Sequence, residues 1–138
     1  MSKEFNWKKY LVENLELTQF LALSTLGKDG SWTCPVFFAY DNKFNLFFIS
    51  QPNSKHMNNI AKNNSISAAI FSTNQNPAED VFGMQLRGKA ILLSDNEVEN
   101  AFKIYYKRSP AGVVMKNNHL NNYKGSSAEW KFVKIVPE

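Results

Sequence analysis

The chain has 138 residues, of which 43% are hydrophobic and 14% aromatic, with eleven Phe. This composition folds around one compact core and excludes a disordered chain. The formal charge of +4 comes from sixteen Lys and Arg scattered along the sequence, which favours an anionic partner but supplies no dense basic block for nucleic acid. The lone Cys34 excludes an intrachain disulfide and, in its apolar context, reads as a small core residue. The opening Met1 to Trp7 lacks the apolar stretch of a secretory signal, and no apolar run nears the roughly 20 residues that span a bilayer, so a cytoplasmic location is expected.

From Glu4 to Leu15 the spacing of Trp7, Leu11 and Leu15 predicts an amphipathic helix. Three β-rich runs follow, Phe20 to Leu26, Ser31 to Tyr40 and Phe44 to Ser50, joined by Gly27-Lys28-Asp29-Gly30 and Asp41-Asn42-Lys43 as hairpin links. A second helix is expected over Ser54 to Lys62 with Met57, Ile60 and Ala61 on one face. A strand from Ser65 to Ser72 and a polar loop, Thr73 to Pro77, come next.

Val81 to Leu93 alternates: Phe82, Met84, Leu86, Ala90 and Leu92 point one way, and Gln85, Arg87 and Lys89 the other. Ser94 to Glu97 has the spacing of a capping box, and Val98, Ala101, Phe102, Tyr105 and Tyr106 follow at helical intervals until Pro110 interrupts them. Lys116 to Ser127 reads as an Asn-rich loop, and Ala128 to Val136 as a last strand carrying Trp130 and Phe132 on one face. Six strands and a few helices predict a single α+β domain, mainly β, built as an antiparallel barrel with helices packed on it. In Leu46-Phe47-Phe48-Ile49 and Val36-Phe37-Phe38 both faces of a strand are apolar. The second face must be covered, by the chain's own helices or by a partner subunit.

Pro52-Asn53-Ser54 is a helix entry, with Asn53 or Ser54 as N-cap, and the first-turn N–H groups form an anion site. Lys55 and His56 there oppose the helix dipole. A phosphate received by the N–H groups, the Ser54 hydroxyl and the Lys55 ammonium would reverse that sign. The alternatives are an exposed lysine whose small penalty the fold tolerates and a solvated histidine.

The order of "AYDNKFNLFFISQPNSKHMNNI", then "GMQLRGKAILL" running into "NEVENAFKIYYKRSP", resembles the FMN-binding split-barrel family of pyridoxamine-phosphate-oxidase-like proteins, and its short bacterial members above all. The resemblance covers about residues 10 to 112 and, weakly, 130 to 136. It implies a six-stranded split barrel and a homodimer with FMN at the interface. It also implies a hydroxyl at Ser50 near the ribityl chain, Ser54 and Lys55 on the phosphate, and His56 where a second basic residue is usual. Val36, Phe37 and Ile49 fall on strands whose backbone lies along the isoalloxazine. Gln85 and Trp130 would approach from the partner; by themselves they read as a solvated strand position and a core aromatic. The family's vitamin B6 oxidases carry basic residues where this chain has Thr33 and Phe38, and an Arg-x-His element that "WKFVKIVPE" lacks, so vitamin B6 oxidation is not implied.

The expected function is an FMN-dependent oxidoreductase that takes hydride from a donor such as NAD(P)H, the cofactor carrying the chemistry, and no general acid or base can be nominated. One rival keeps the ligand without turnover, as a flavin, haem or deazaflavin storage or sensor protein. Another, a barrel that binds single-stranded nucleic acid, needs a stacking platform and a basic groove, for which Gln85, Arg87 and Lys89 are the only stripe.

Overall fold

The computed structural model describes residues 3–108 and 120–138. In chain order the elements are α1 (Trp7–Leu17), β1 (Phe20–Gly27), β2 (Gly30–Phe37), β3 (Ala39–Tyr40), β4 (Leu46–Ser50), α2 (Lys55–Lys62), β5 (Ser65–Ile70), β6 (Met84–Leu92), α3 (Asp95–Arg108) and β7 (Lys131–Pro137), with a 3-10 turn at Leu120–Tyr123. The strands form one antiparallel sheet in the order β2-β1-β5-β6-β7-β4-β3. The two edges of that order are consecutive in sequence and separated by a single residue, Phe38. The sheet therefore has to curl until its edges meet, which makes it a half-barrel of the split type.

The curl divides the apolar residues in two. Leu21, Leu23, Phe38, Leu46, Phe48 and Ile70 fill the barrel interior, while Phe47, Phe132, Val98, Ala101 and Tyr105 pack between the outside of the barrel and α3. The alternation along β4 feeds both clusters, so α3 covers the second apolar face of this strand without help from another chain. Glu97 starts α3 by accepting the Ser94 N–H at 3.2 Å, and the Ser94 hydroxyl at 2.8 Å holds its carboxyl below the usual carboxylate range. This is half of the expected capping box.

Several expected boundaries differ. The run Ser31 to Tyr40 breaks at Phe38, giving seven strands where six were expected; Phe38 is fully buried and its N–H turns to the Gln19 carbonyl at 3.2 Å. β6 begins at Met84 because the Gln75 side chain takes both backbone groups of Phe82, at 2.8 and 2.9 Å, in place of a neighbouring strand. β7 begins at Lys131, leaving Trp130 before it, while Phe132 is buried against Tyr105 and Tyr123. Trp7 is 68% exposed, its neighbours at the start of α1 are exposed too, and it packs on Phe5 and Tyr10. The expected loop from Lys116 folds as the 3-10 turn over Leu120–Tyr123; its first residues, like Pro110, lie outside the described set. Among the described residues no helix is long and apolar enough to cross a membrane.

Arg108, at the end of α3, ties the closure together. Its guanidinium donates to the Phe38 carbonyl at 2.5 Å and to the carbonyls of Leu15 and Thr18 at the end of α1, with its face 4.5 Å from the Phe38 ring. Arg108→Met keeps the stem but leaves three carbonyls without this donor. Urea denaturation should show a loss of about 2–3 kcal/mol, with Arg108→Lys recovering part; a loss below about 0.5 kcal/mol would refute the clamp.

Candidate functional site

The polar centre lies where β4 ends and α2 begins. Strand alternation buries Ser50, and the three residues Gln51, Pro52 and Asn53 return the chain so that Ser54 and the first turn of α2 face it. The Ser50 hydroxyl is 2.5 Å from His56 Nε2 and 3.3 Å from the Ser54 hydroxyl, and Ser54 Oγ is 3.3 Å from the same ring nitrogen. Ser54 donates its proton to the Gln51 carbonyl at 2.9 Å. Its oxygen is thus left to accept from Ser50 or His56.

Ser54 is the N-cap residue, yet its side chain makes no bond to the first-turn N–H groups. Those donors, which an N-cap hydroxyl ordinarily receives, stand beside two hydroxyls and an imidazole. Burial pushes the His56 imidazole below its ordinary value, so the ring is neutral at pH 7 and can act as donor or acceptor according to its tautomer. Its ring lies 6.4 Å from that of Phe48.

Lys55 does not join this cluster. Its ammonium sits 4.4 Å from the centroid of the Trp32 ring, a cation–π contact. The two ion pairs among the described residues, Lys9–Glu13 and Lys103–Glu99, lie elsewhere. Trp32 on β2 pairs with Thr25, and Asn59 of α2 donates to Thr25 at 3.0 Å, so α2 is fastened over the same end of the β1–β2 hairpin that supplies the tryptophan. The close seat needs Gly27, where a Cβ would stand 2.3 Å from Asn59 Oδ1. Trp32 was not foreseen as a site residue. The only sequence signal was its place beside the hairpin turn, and that turn's contact with α2 is tertiary.

The remaining candidates fall into two groups. Ile49 is half-buried next to Ser50, and Trp130 is 39% exposed beside Lys131, whose register partner is Ser50. One chain therefore carries Trp130 toward the end of β4. Val36 is buried in the barrel, and Phe37 packs edge-on against Tyr105 at 5.3 Å and Phe20 at 5.9 Å. Gln85 stands apart, on the outer face of the sheet.

That outer face is a shallow hollow. Pairing aligns Pro35, Ala22, Ala69 and Gln85 in one row and Thr33, Ser24, Ser67 and Arg87 in the next, with Ser24 and Thr33 bonded at 2.8 Å. Phe20 and Phe71, about half exposed, stand at one end. No helix covers it among the described residues. At the positions where vitamin B6 oxidases carry basic residues, Thr33 is engaged with Ser24 and Phe38 is sealed in the core.

A family model described as pyridoxamine 5'-phosphate oxidase matches residues 8–131, nearly the whole chain. The chain belongs to this family. Among solved structures it is similar to a protein of unknown function from Agrobacterium tumefaciens, with a TM-score of 0.75, 19% identity, all of this chain covered and 57% of the other. The chain thus spans little more than half of that relative. It is also similar to a heme storage protein from Vibrio cholerae, with a TM-score of 0.71, 12% identity and coverage of 97% and 92%, and to General Stress Protein 26 from Bacillus anthracis, with a TM-score of 0.66, 17% identity and coverage of 96% and 90%. At these identities the likeness is one of fold. No curated protein matches the sequence.

The lowered His56 value sets a pH dependence. The folded state holds this proton less tightly than the unfolded chain, so the contribution of His56 to stability is complete above about 6.5 and falls as pH drops below it. Thermal denaturation at pH 7.5 and 5.5 should show a larger drop for the wild type than for His56→Gln. Equal drops would mean that His56 is not the titrating group.

Proposed function

We propose that this member of the pyridoxamine 5'-phosphate oxidase family binds FMN between two copies of itself and serves as an FMN-dependent oxidoreductase. The observation that carries the reading is the convergence of Ser50, Ser54 and His56 on first-turn N–H groups that no side chain caps. A phosphate suits this donor set. It can accept from the N–H groups, from both hydroxyls and from Nε2–H, and its charge is favoured by the positive end of α2. Lys55 is exposed and its ammonium rests on the Trp32 face; on this reading it leaves that face to add its charge to the phosphate.

Bound FMN would supply hydride transfer, with NAD(P)H as the proposed donor. The chain's own part is to hold the phosphate, align the ring along the β2 and β4 backbones at Val36, Phe37 and Ile49, and limit access of water. The outer sheet face, with its half-exposed Phe20 and Phe71 and its small side chains, supports the dimer, because a second copy laid there would remove those rings from solvent. Gln85 on the same face then belongs to the interface. A storage role, with flavin or haem and no turnover, is the second reading; it is favoured by the similar fold of the Vibrio cholerae heme storage protein.

The absorption spectrum of freshly purified protein identifies the ligand, and anaerobic reduction of bound flavin by NADPH, faster than that of free FMN, separates the oxidoreductase from flavin storage. A flavin spectrum at one equivalent per chain is expected; a haem spectrum selects the second reading, and protein that stays colourless in excess FMN rejects both. Lys55→Ala should weaken FMN about tenfold while leaving riboflavin nearly unchanged, and equal losses would place Lys55 away from the phosphate. Light scattering should give twice the chain mass at micromolar concentration; a monomer would remove the interface from the proposal.

A further inference from the structure

At the mouth of the barrel opposite the hairpin end lies a cleft of about 160 Å³, open to solvent on one side. Leu11 and Leu15 of α1 form its roof, Phe44, Leu46 and Ile70 its sides, and Leu86 and Met84 its floor, with Gln85 and Pro137 at the edge. The wall is almost wholly carbon. Water that enters from the open side meets a wall with almost no hydrogen-bond partners, so an apolar group can displace it at little cost. All buried side-chain N and O atoms among the described residues already have hydrogen-bond partners, so no buried polar group here needs a water either.

The wall is also held in place. Phe44 has φ +63°, a conformation that costs a non-glycine residue about 1 kcal/mol or more unless its surroundings impose it. The surroundings do. Phe44 N–H donates to the Asp41 carbonyl at 3.1 Å, and the Asp41 carboxylate receives the N–H groups of Lys43 and Asn45 at 2.9 Å each and the Asn45 amide at 3.0 Å. This turn fixes the Phe44 ring as one side of the cleft. The roof is fixed too, because Arg108 holds the Leu15 carbonyl.

An apolar cleft of this size, between fixed walls and open on one side, has room for a benzene-sized group. We infer that the barrel mouth beneath α1 is a binding site for an uncharged apolar molecule, or the apolar end of one, of about the size of a single benzene ring. FMN and haem are far too large for it, so the inference stands apart from the flavin reading.

The test is a titration of the full chain with benzene, followed by methyl NMR at Met84, Leu11 and Ile70, on protein with and without FMN. Saturable shifts at these methyls are expected, with the same affinity in both preparations. Leu86→Trp and Leu11→Trp fill the space from opposite walls, and each folded variant should bind benzene at least tenfold more weakly. Phe44→Ala should admit naphthalene, which the wild type should reject. No saturable shift at Met84, or unchanged affinity in either folded filling variant, would overturn the site. Loss of benzene binding on loading with FMN would overturn its independence.

Discussion

The architecture depends on one covalent constraint: the two edges of the sheet are the same stretch of chain. β2 ends at Phe37 and β3 begins at Ala39, yet they stand at opposite ends of the strand order. Phe38 alone spans the change, so the sheet cannot lie flat. Its N–H donates to the Gln19 carbonyl, its carbonyl accepts from Arg108, and its ring is enclosed in the barrel. Both backbone groups of the corner are thereby satisfied in a place where water cannot reach them.

The polar site is a consequence of that curl. Once β4 is drawn against β7 and its own edge neighbour β3, its last residue, Ser50, lies buried with its hydroxyl facing the first turn of α2. The two hydroxyls and the imidazole are hydrogen-bonded to one another. An incoming anion must therefore replace the bonds among these side chains while it meets the uncapped N–H groups of α2, and selectivity rests on its offering stronger acceptors than the hydroxyls do.

What was legible in the sequence follows from the range of the interactions. Ser50, Ser54 and His56 lie within seven residues, and a strand that ends next to a helix start brings them together by local geometry alone. The helical spacing from Val98 to Tyr106 and the alternation of β6 also reflect neighbours one or two turns away. The break at Phe38, the Gln75 amide standing in for a strand and the Lys55–Trp32 contact were not legible, because each is set by a partner at a distance that periodicity does not encode. β4 illustrates the limit: its two apolar faces correctly required two covers, but the sequence did not say that α3 would supply the second.

β7 lies between β6 and β4, and the barrel has no continuous wall without it. Its residues, 131–137, are made long after β4 and β6 have left the ribosome. During synthesis, therefore, the apolar edges of both strands wait unpaired while some forty residues beyond β6 are added, an interval of seconds at about 5–20 residues per second. Such edges recruit strands from other chains. The nascent chain is accordingly most exposed to misassembly just before its last strand emerges, and a chaperone would have most to protect at that moment.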